Sequence, residues 1–132
     1  MPGDLQGSIR QYCSCLQERN ASYEDYARSV GLSFTSLSIL STIYSHENCT
    51  QKMLCEICFL PKQTVNGVIR QFCKDGWINL IEMAKDRRNK AIRFTEQGRQ
   101  AAGDILRRVR QSEQAAMQSL SPQEQTALLT LT

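Results

Sequence analysis

Pro61 lies between two short stretches that have helical periodicity, and this arrangement constrains the fold more than any other feature of the chain. Proline cannot continue a helix, but it suits the first turn of a new one, where no amide donor is needed. The first stretch follows Thr50, whose hydroxyl can accept a hydrogen bond from a free amide of the first turn. The second is predicted to run to about Lys74 and to end at Gly76. The sequence therefore predicts two short helices joined by a tight turn.

The second predicted helix has one apolar and one polar side. On a helical wheel its apolar side carries Val65, Val68, Ile69 and Phe72. Its polar side carries Gln63, Gly67, Arg70 and Lys74, with Asn66 on the flank. Gln and Asn can bond both N6 and N7 of adenine, and Arg can bond both O6 and N7 of guanine. A glycine inside a helix costs about 1 kcal/mol relative to alanine, which indicates that something approaches this helix closely. The alternative is an ordinary amphipathic helix with a solvated polar side.

The next stretch has the pattern of a half-buried β-hairpin. The predicted strands are Ile78–Met83 and Lys90–Phe94, and in the second strand Ile92 and Phe94 face one way while Ala91 and Arg93 face the other. The predicted tip between them is Lys85-Asp86-Arg87-Arg88-Asn89, with three cations and one carboxylate. A cationic tip suits insertion into a narrow minor groove, where A·T tracts concentrate negative potential. Asp86 either pairs with Arg88 or starts the turn.

Taken in order, these elements resemble the MarR family of bacterial transcriptional regulators. The matching residues are Thr50-Gln51-Lys52, Lys62-Gln63-Thr64-Val65-Asn66, Gly76, Asp86-Arg87-Arg88 and Thr95-Glu96-Gln97-Gly98. The resemblance covers about residues 5 to 131. It implies a mainly α fold with a small β-hairpin wing, a winged helix-turn-helix with N- and C-terminal dimerisation helices. It also implies a homodimer whose recognition helices enter successive major grooves of a pseudo-palindromic double-stranded DNA operator, about 34 Å apart.

The resemblance assigns roles to individual residues. We expect Gln63, Asn66 and Arg70 to read bases. We expect Lys52, Thr64 and Lys74 to contact phosphates, which position a protein without carrying sequence information. By position, Arg88 takes the role of the family's wing arginine, which enters the minor groove. The other expected DNA contacts are Thr50, Gln51, Lys62, Lys85, Asp86, Arg87 and Lys90.

Length and charge agree with a single DNA-binding domain. A chain of 132 residues can bury a core without disulfides or metals. Residues 62–110 contain 12 Lys and Arg and 5 Asp and Glu, a net charge of +7, whereas the rest of the chain carries −4. Such asymmetry is typical when one face meets phosphate, and chance patchiness is the alternative. No signal peptide and no membrane-length apolar run is found, which predicts a cytoplasmic protein that does not contact membranes.

We divide the chain into three segments within one compact domain. Residues 1–31 hold an N-terminal dimerisation helix, predicted from residue 4 to about 19, and then a connection or short second helix that ends at Gly31. Residues 32–98 form the DNA-binding lobe and begin with a helix capped by Ser33. Residues 99–132 hold the C-terminal dimerisation helices, a long one capped by Thr95 and a last one that starts at a Ser121 capping box. In the family the first helix packs on the partner subunit, although packing within its own domain is the alternative. The family's final helix is usually longer, so we expect a shortened C-terminal end.

The cysteines and aromatic residues raise two further hypotheses. Some family members sense oxidants through a cysteine in the first helix, which makes Cys13 and Cys15 candidates for a redox-sensing alternative, whereas inert thiols are the simpler interpretation. The family's effector pocket lies between the dimerisation helices and the DNA-binding lobe. By position Tyr12, Tyr26 and Phe34 line it and bind a small aromatic or phenolic effector, although aromatic core packing explains them equally well.

Other classes of function are disfavoured. Cys55 and Cys58 form a C-x-x-C without a second pair, and His46 is the single histidine, so neither a metal nor another cofactor is expected. No Ser/His/Asp set or phosphate-binding glycine loop is found, so we expect no enzyme. The resemblance to the MarR family instead implies a homodimeric repressor released from its operator by a small molecule. A winged-helix module that binds protein instead of DNA is the alternative from another class.

Overall fold

The computed structural model describes residues 3–132, apart from the side chains of Asp86 and Arg87. In chain order its elements are α1 (Leu5–Ser29), α2 (Phe34–Ser45), α3 (Gln51–Cys58), α4 (Lys62–Lys74), β1 (Ile78–Met83), β2 (Asp86–Phe94), α5 (Glu96–Gln118) and α6 (Pro122–Leu131). This mainly helical fold with one antiparallel hairpin confirms the predicted fold class. The chain divides into two compact units, one up to Leu40 and one from Ser41 onwards. The three predicted segments remain a prediction.

The first unit is built around α1, which is longer than the sequence predicted. The predicted end near residue 19 is wrong, as is the separate connection or short helix after it, because α1 continues without a break to Ser29. The residues from 20 to 29 include no proline or glycine, so nothing interrupts the helical hydrogen bonds. Gly31 ends the helix as predicted, with a φ of +78°. The ring of Tyr23, in α1, packs edge to face with the ring of Phe34, at the start of α2, with centroids 5.9 Å apart.

The predicted helix after Gly31 is confirmed as α2. Ser33 caps it, because the Ser33 hydroxyl accepts a hydrogen bond from the Ser36 amide at 3.0 Å. Leu37, Ile39, Leu40 and Ile43 of this helix are all buried. The helix therefore has apolar packing on more of its circumference than one stripe would give.

The second unit has its core between α3, α4, the hairpin and the first half of α5. Its buried apolar residues are Ile43, Cys49, Leu54, Val65, Ile69, Phe72, Ile78, Ala91, Ile92, Ala102 and Leu106. The Trp77 ring stacks on Phe72, with centroids 5.6 Å apart, where the chain leaves α4 and enters β1. A side chain at Gly98 would overlap the carbonyl oxygen of Trp77, so only glycine allows the first turn of α5 to lie against this corner.

The hairpin differs from the prediction in its second strand. β2 begins at Asp86, and Met83 pairs directly with Asp86, so the turn is Ala84-Lys85 and not the five residues from Lys85 to Asn89. An irregularity between Ile81 and Met83 lets the ladder continue to this short turn. Residues 86 to 89 therefore belong to a strand and not to a loop.

One side of β2 is more buried than alternation predicts. Ala91 was predicted to share an outer face with Arg93, yet Ala91 is fully buried and Arg93 is exposed. The reason is tertiary: the Ile92 amide donates to the Cys49 carbonyl at 2.7 Å, and α3 packs against the same strand. The segment that leads into α3 therefore lies along the edge of β2, next to Ala91.

The two C-terminal helices start at the predicted caps. The Thr95 hydroxyl accepts from the Gly98 amide at 3.0 Å, and Ser121 and Glu124 form a reciprocal capping box. In α5 the buried positions are Gly98, Ala102 and Leu106, which recur every four residues along one side of the helix. Every residue from 111 to 119 is exposed, so the described residues leave the second half of α5 uncovered. Among the described residues, no helix has both the length and the apolar character needed to cross a membrane.

Candidate nucleic-acid interface

The α3–turn–α4 segment has the geometry that Pro61 predicts. The Thr50 hydroxyl accepts a hydrogen bond from the Met53 amide at 3.2 Å and caps α3. The helix ends at Phe59, which adopts a left-handed conformation with a φ of +54°. Pro61 then precedes α4 and provides no side-chain cap. The first amides of α4 therefore remain available to an external acceptor, and a helix N-terminus favours an anion.

The two sides of α4 are as the helical wheel predicts. Val65, Ile69 and Phe72 are buried, and each has at most 2% of its surface exposed. The opposite side presents Gln63, Thr64, Gly67, Arg70 and Lys74 to solvent, with Asn66 half-buried. A Cβ atom on Gly67 would have no other atom within 4 Å. The packing of this chain therefore does not require a glycine there.

An open groove of about 680 Å³ lies where α3, α4 and the hairpin meet. Four cationic residues line it: Lys52 from α3, Lys62 from α4, and Arg88 and Lys90 from β2. Three amide side chains join them: Gln51, Asn66 and Asn89. Residues that lie up to 39 positions apart in the sequence, such as Gln51 and Lys90, thus share one surface. The groove runs from the N-terminal part of the predicted recognition helix to the predicted wing.

Not every expected DNA contact lies in this groove. Arg70 and Lys74 are exposed further along α4, about 6 and 12 Å beyond Asn66 at 1.5 Å per residue. Lys85 is exposed in the hairpin turn. Thr50 is only 7% exposed, and its hydroxyl is engaged in the α3 cap. The roles predicted for the side chains of Asp86 and Arg87, including the pairing of Asp86 with Arg88, lie outside the described residues.

The groove also contains residues that the sequence analysis did not select. Cys55, Glu56 and Leu80 line it, and Glu56 places a carboxylate among the cations. Cys55 and Glu56 follow Lys52 by three and four positions in α3, which places them on the same helix side. A helical wheel for α3 would have found them. Gln51 has a buried side-chain oxygen for which the described residues provide no hydrogen-bond donor.

The residues predicted for an effector pocket lie at separate places in the unit that ends at Leu40. Tyr12 and Tyr26 both belong to α1 and are separated by about 21 Å at 1.5 Å per residue. Tyr12 is 64% exposed, and Phe34 is half-buried against Tyr23. Cys13 and Cys15 are both free and exposed. Among the described residues, no group of three or more His, Cys, Asp and Glu is arranged to hold a metal ion.

Comparison with known proteins points to a single family. Residues 30–89, which include α2, α3, α4 and the hairpin turn, match the model of the MarR family. The HTH-type transcriptional regulator SarZ of Staphylococcus aureus is 30% identical over 77 residues, which cover 58% of this chain and 52% of SarZ. The chain thus spans about half the length of the curated relatives that it matches.

Solved structures share the fold over nearly the whole chain. A MarR/EmrR family transcriptional regulator from Acinetobacter sp. ADP1 has a TM-score of 0.78 at 18% identity, covering 98% of this chain and 92% of the other. A variant of MarR from E. coli complexed with operator DNA has a TM-score of 0.74 at 17% identity, covering 98% and 96%. The family-model match over residues 30–89, the curated relatives and the solved structures agree, and all three point to the MarR family of transcriptional regulators.

Proposed function

We propose that this protein is a homodimeric, sequence-specific double-stranded DNA-binding regulator, acting in the cytoplasm as a repressor that a small molecule releases from its operator. The observation that supports DNA binding most directly is the groove between α3, α4 and the hairpin. Its four cations, Lys52, Lys62, Arg88 and Lys90, are opposed by one carboxylate, Glu56. A surface of this charge between a helix and a hairpin fits one phosphate backbone of a duplex.

On this proposal α4 and the hairpin read different parts of the DNA. The exposed side of α4 presents Gln63 and Arg70, and half-buried Asn66, to base edges in the major groove. The hairpin extends towards the adjacent minor groove and carries Arg88 and Lys85. Lys52 and Lys62 contact the phosphates between them. The solved MarR variant in complex with operator DNA is a protein of the same fold that binds DNA, which agrees with this arrangement.

Dimer formation would set the length of the operator. Each chain has one recognition helix, so a two-fold dimer places two of them about one helical turn apart on a pseudo-palindrome. A small aromatic or phenolic effector would act by binding more tightly to a form whose helices have the wrong spacing. Tyr12, Tyr26 and Phe34 remain the proposed lining of its pocket. Because Tyr12 and Tyr26 lie far apart on one α1, that pocket would need residues from both subunits.

Fluorescence anisotropy of labelled duplexes tests the proposal. The first duplex is the region upstream of the protein's own gene, titrated at several salt concentrations against a scrambled duplex of equal length. We expect tight binding with a stoichiometry of two chains per duplex, and log K falling by about 0.9 per phosphate contact against log salt. If upstream and scrambled duplexes bind equally, sequence-specific binding is wrong. If no duplex binds at low salt, the protein-interaction module becomes the better interpretation.

Arg88→Ala tests the assignment of the wing. We expect operator affinity to fall at least tenfold and the salt slope to decrease by about one phosphate contact, because Arg88 lines the groove from the hairpin side. Arg108→Ala is a matched control, since Arg108 is an exposed arginine on α5 that does not line the groove. Unfolding by urea checks that both variants keep the wild-type stability. Equal affinity of wild type and Arg88→Ala would exclude the wing contact.

A thiol-based regulator on the same scaffold is the second candidate, because Cys13 and Cys15 are both exposed on α1. In that case peroxide treatment would change operator affinity in the wild type and leave Cys13→Ser unaffected. Cys15→Ser distinguishes the two thiols. If peroxide leaves the operator affinity of the wild type unchanged, this candidate function is excluded.

A further inference from the structure

A second groove, of about 430 Å³, lies in the unit that begins at Ser41. Its walls are the end of α2 with the following turn, from Ile43 to Asn48, the end of β2, from Ile92 to Phe94, and Arg99 of α5. It shares no residue with the groove between α3, α4 and the hairpin, and none with the proposed effector pocket. Small-molecule sites usually have volumes of about 300–1,000 Å³. The groove is therefore large enough for a separate ligand.

Two aromatic rings and two guanidinium groups are in contact one after another, and three of the four, Tyr44, Phe94 and Arg99, line this groove. The Arg110 guanidinium carbon lies 4.9 Å from the centroid of the Tyr44 ring. The Tyr44 and Phe94 rings meet edge to face at 5.9 Å, and the Arg99 guanidinium lies 5.9 Å from the Phe94 centroid. A cation–π contact holds a guanidinium by its face and leaves the N–H groups at its edge free to donate. The contact with Phe94 thus positions the Arg99 donors before a ligand arrives.

A third arginine is held by the turn after α2. Arg93 donates a hydrogen bond to the side-chain oxygen of Asn48 at 2.6 Å. Asn48 has a φ of +53°, a left-handed conformation that asparagine tolerates better than most residues. Across the described residues, Arg93, Arg99 and Arg110 form no salt bridge. Glu47 is the single carboxylate that lines the groove, against Arg93 and Arg99, so the lining has a positive balance.

The groove also has an apolar part. Ile43 and Ile92 line it, both with less than 5% of their surface exposed, together with the half-buried ring of Phe94. His46 also lines the groove. Its Nδ1 lies 2.9 Å from the Thr42 carbonyl oxygen, and because that oxygen can only accept, Nδ1 carries the proton and donates to it. Arginine donors and apolar side chains that line one groove match a molecule with an anionic group at one end and an apolar body at the other.

We propose that this groove binds a small organic anion. A carboxylate or phosphate group meets the guanidinium groups of Arg93 and Arg99, both of which fit the two oxygens of such a group. The apolar body of the anion lies against Ile43, Ile92 and Phe94. This site is independent of DNA binding, and it is complete within one chain.

Proton NMR titration tests the proposal, because His46 is the only histidine of the chain and its ring signals report on the groove alone. The probes are benzoate, phenyl phosphate, inorganic phosphate and the uncharged benzyl alcohol. We expect benzoate or phenyl phosphate to shift the His46 signals saturably and benzyl alcohol to leave them unchanged. Inorganic phosphate is expected to bind at least tenfold more weakly than the better aromatic anion, because it lacks the apolar body.

Variants assign the binding to the arginines. Arg93→Ala and Arg99→Ala are each expected to weaken binding at least tenfold, while Arg108→Ala on the exposed side of α5 binds as the wild type does. Arg99→Gln repeats the test with a side chain that keeps most of the packing on Phe94. Absence of a saturable shift with either aromatic anion, or an equal loss in Arg108→Ala, would overturn the proposal. So would a result in which no probe shifts His46 while Arg93→Ala and Arg99→Ala lower duplex affinity and its salt slope, because the groove would then contact DNA phosphate.

Discussion

Burial divides the cysteines into groups with different chemistry. Cys13 and Cys15 are exposed, whereas Cys49 is fully buried where the chain enters α3. Burial, and to a lesser extent the nearby Cys58 thiol, raises the pKa of Cys49 to about 11. Burial also raises the pKa of Cys73. Because the thiolate is the reactive form, Cys49 and Cys73 are structural side chains at neutral pH.

The raised pKa of Cys49 predicts how stability depends on pH. The neutral thiol is favoured in the folded state, so its contribution is complete below pH 9, the ordinary pKa, and is lost as pH rises through about 11. We expect the free energy of unfolding to lose up to about 3 kcal/mol from this group over that interval. Urea unfolding from pH 8 to 11 measures it, with Cys49→Val as the reference that lacks the thiol. The pH dependence of Cys49→Val should be shallower than that of the wild type, and parallel curves would contradict the prediction.

At the scale of elements, α4 contains a glycine that the packing of the described residues does not require. Gly67 is exposed in the middle of α4, and a Cβ atom there would meet nothing within 4 Å. The cost of glycine at this position, about 1 kcal/mol relative to alanine, is therefore not offset by closer packing within the free protein. Under the proposed function, the glycine allows DNA to approach this turn of the helix closely.

Gly67→Ala should therefore change stability and DNA affinity in opposite directions. We expect the free energy of unfolding to rise by about 1 kcal/mol, because alanine is the better helix former. We expect operator affinity to fall at least fivefold, because the added methyl group occupies space that DNA needs. Ser112→Ala, at an exposed position of α5, is the control for helix propensity alone. A variant that is more stable and binds the operator as tightly as the wild type would show that DNA does not approach Gly67.

Elements defined by local signals were predictable from the sequence. Thr50, Thr95 and Ser121 cap α3, α5 and α6 as expected, because a cap needs only a hydroxyl and an amide three residues later. The two sides of α4 were likewise predictable, since they follow from helical periodicity. In each case the information lies within one turn of the chain.

Features that depend on distant residues were not predictable in the same way. The early start of β2 at Asp86 follows from its pairing with β1, since residues 86 to 89 show no alternation of polarity. The burial of Ala91 depends on distant residues that pack against β2, namely α3 and the segment before it, in which Cys49 is hydrogen-bonded to Ile92, 43 positions away. The second groove needs Arg93, Arg99 and the turn after α2, whose shared surface no spacing in the sequence reveals.

At the scale of the whole molecule, large aliphatic side chains are exposed on the helices that the sequence assigned to dimerisation. On α1, Leu5, Ile9 and Leu16 are 75%, 45% and 42% exposed. On α6, Leu129 and Leu131 are 72% and 86% exposed. Clusters of exposed apolar residues mark interaction sites. A second copy of the chain, packed on these helices, is the cover that the proposed function requires.

Substitution of two α1 residues tests whether a second copy of the chain packs on these helices. Ile9 and Leu16 are seven positions apart, two helical turns, and so lie on one side of α1. With Glu at both positions, dimerisation would bury two unpaired carboxylates per chain, which is strongly unfavourable. We expect light scattering to give twice 15.0 kDa for the wild type and 15.0 kDa for the Ile9→Glu/Leu16→Glu variant, with unchanged helix content.

The same variant separates the contribution of the dimer from that of one recognition surface. A monomer presents one α4 to the operator, so it loses the gain from the second, linked contact, and we expect its affinity to fall at least hundredfold. Gln11→Glu/Gln17→Glu adds the same charge to exposed polar positions of α1 and controls for repulsion of the DNA. This control should remain dimeric and bind the operator within about threefold of the wild type. A wild-type mass of 15.0 kDa, or full operator affinity in the monomeric variant, would contradict the dimer and leave each chain to bind DNA alone.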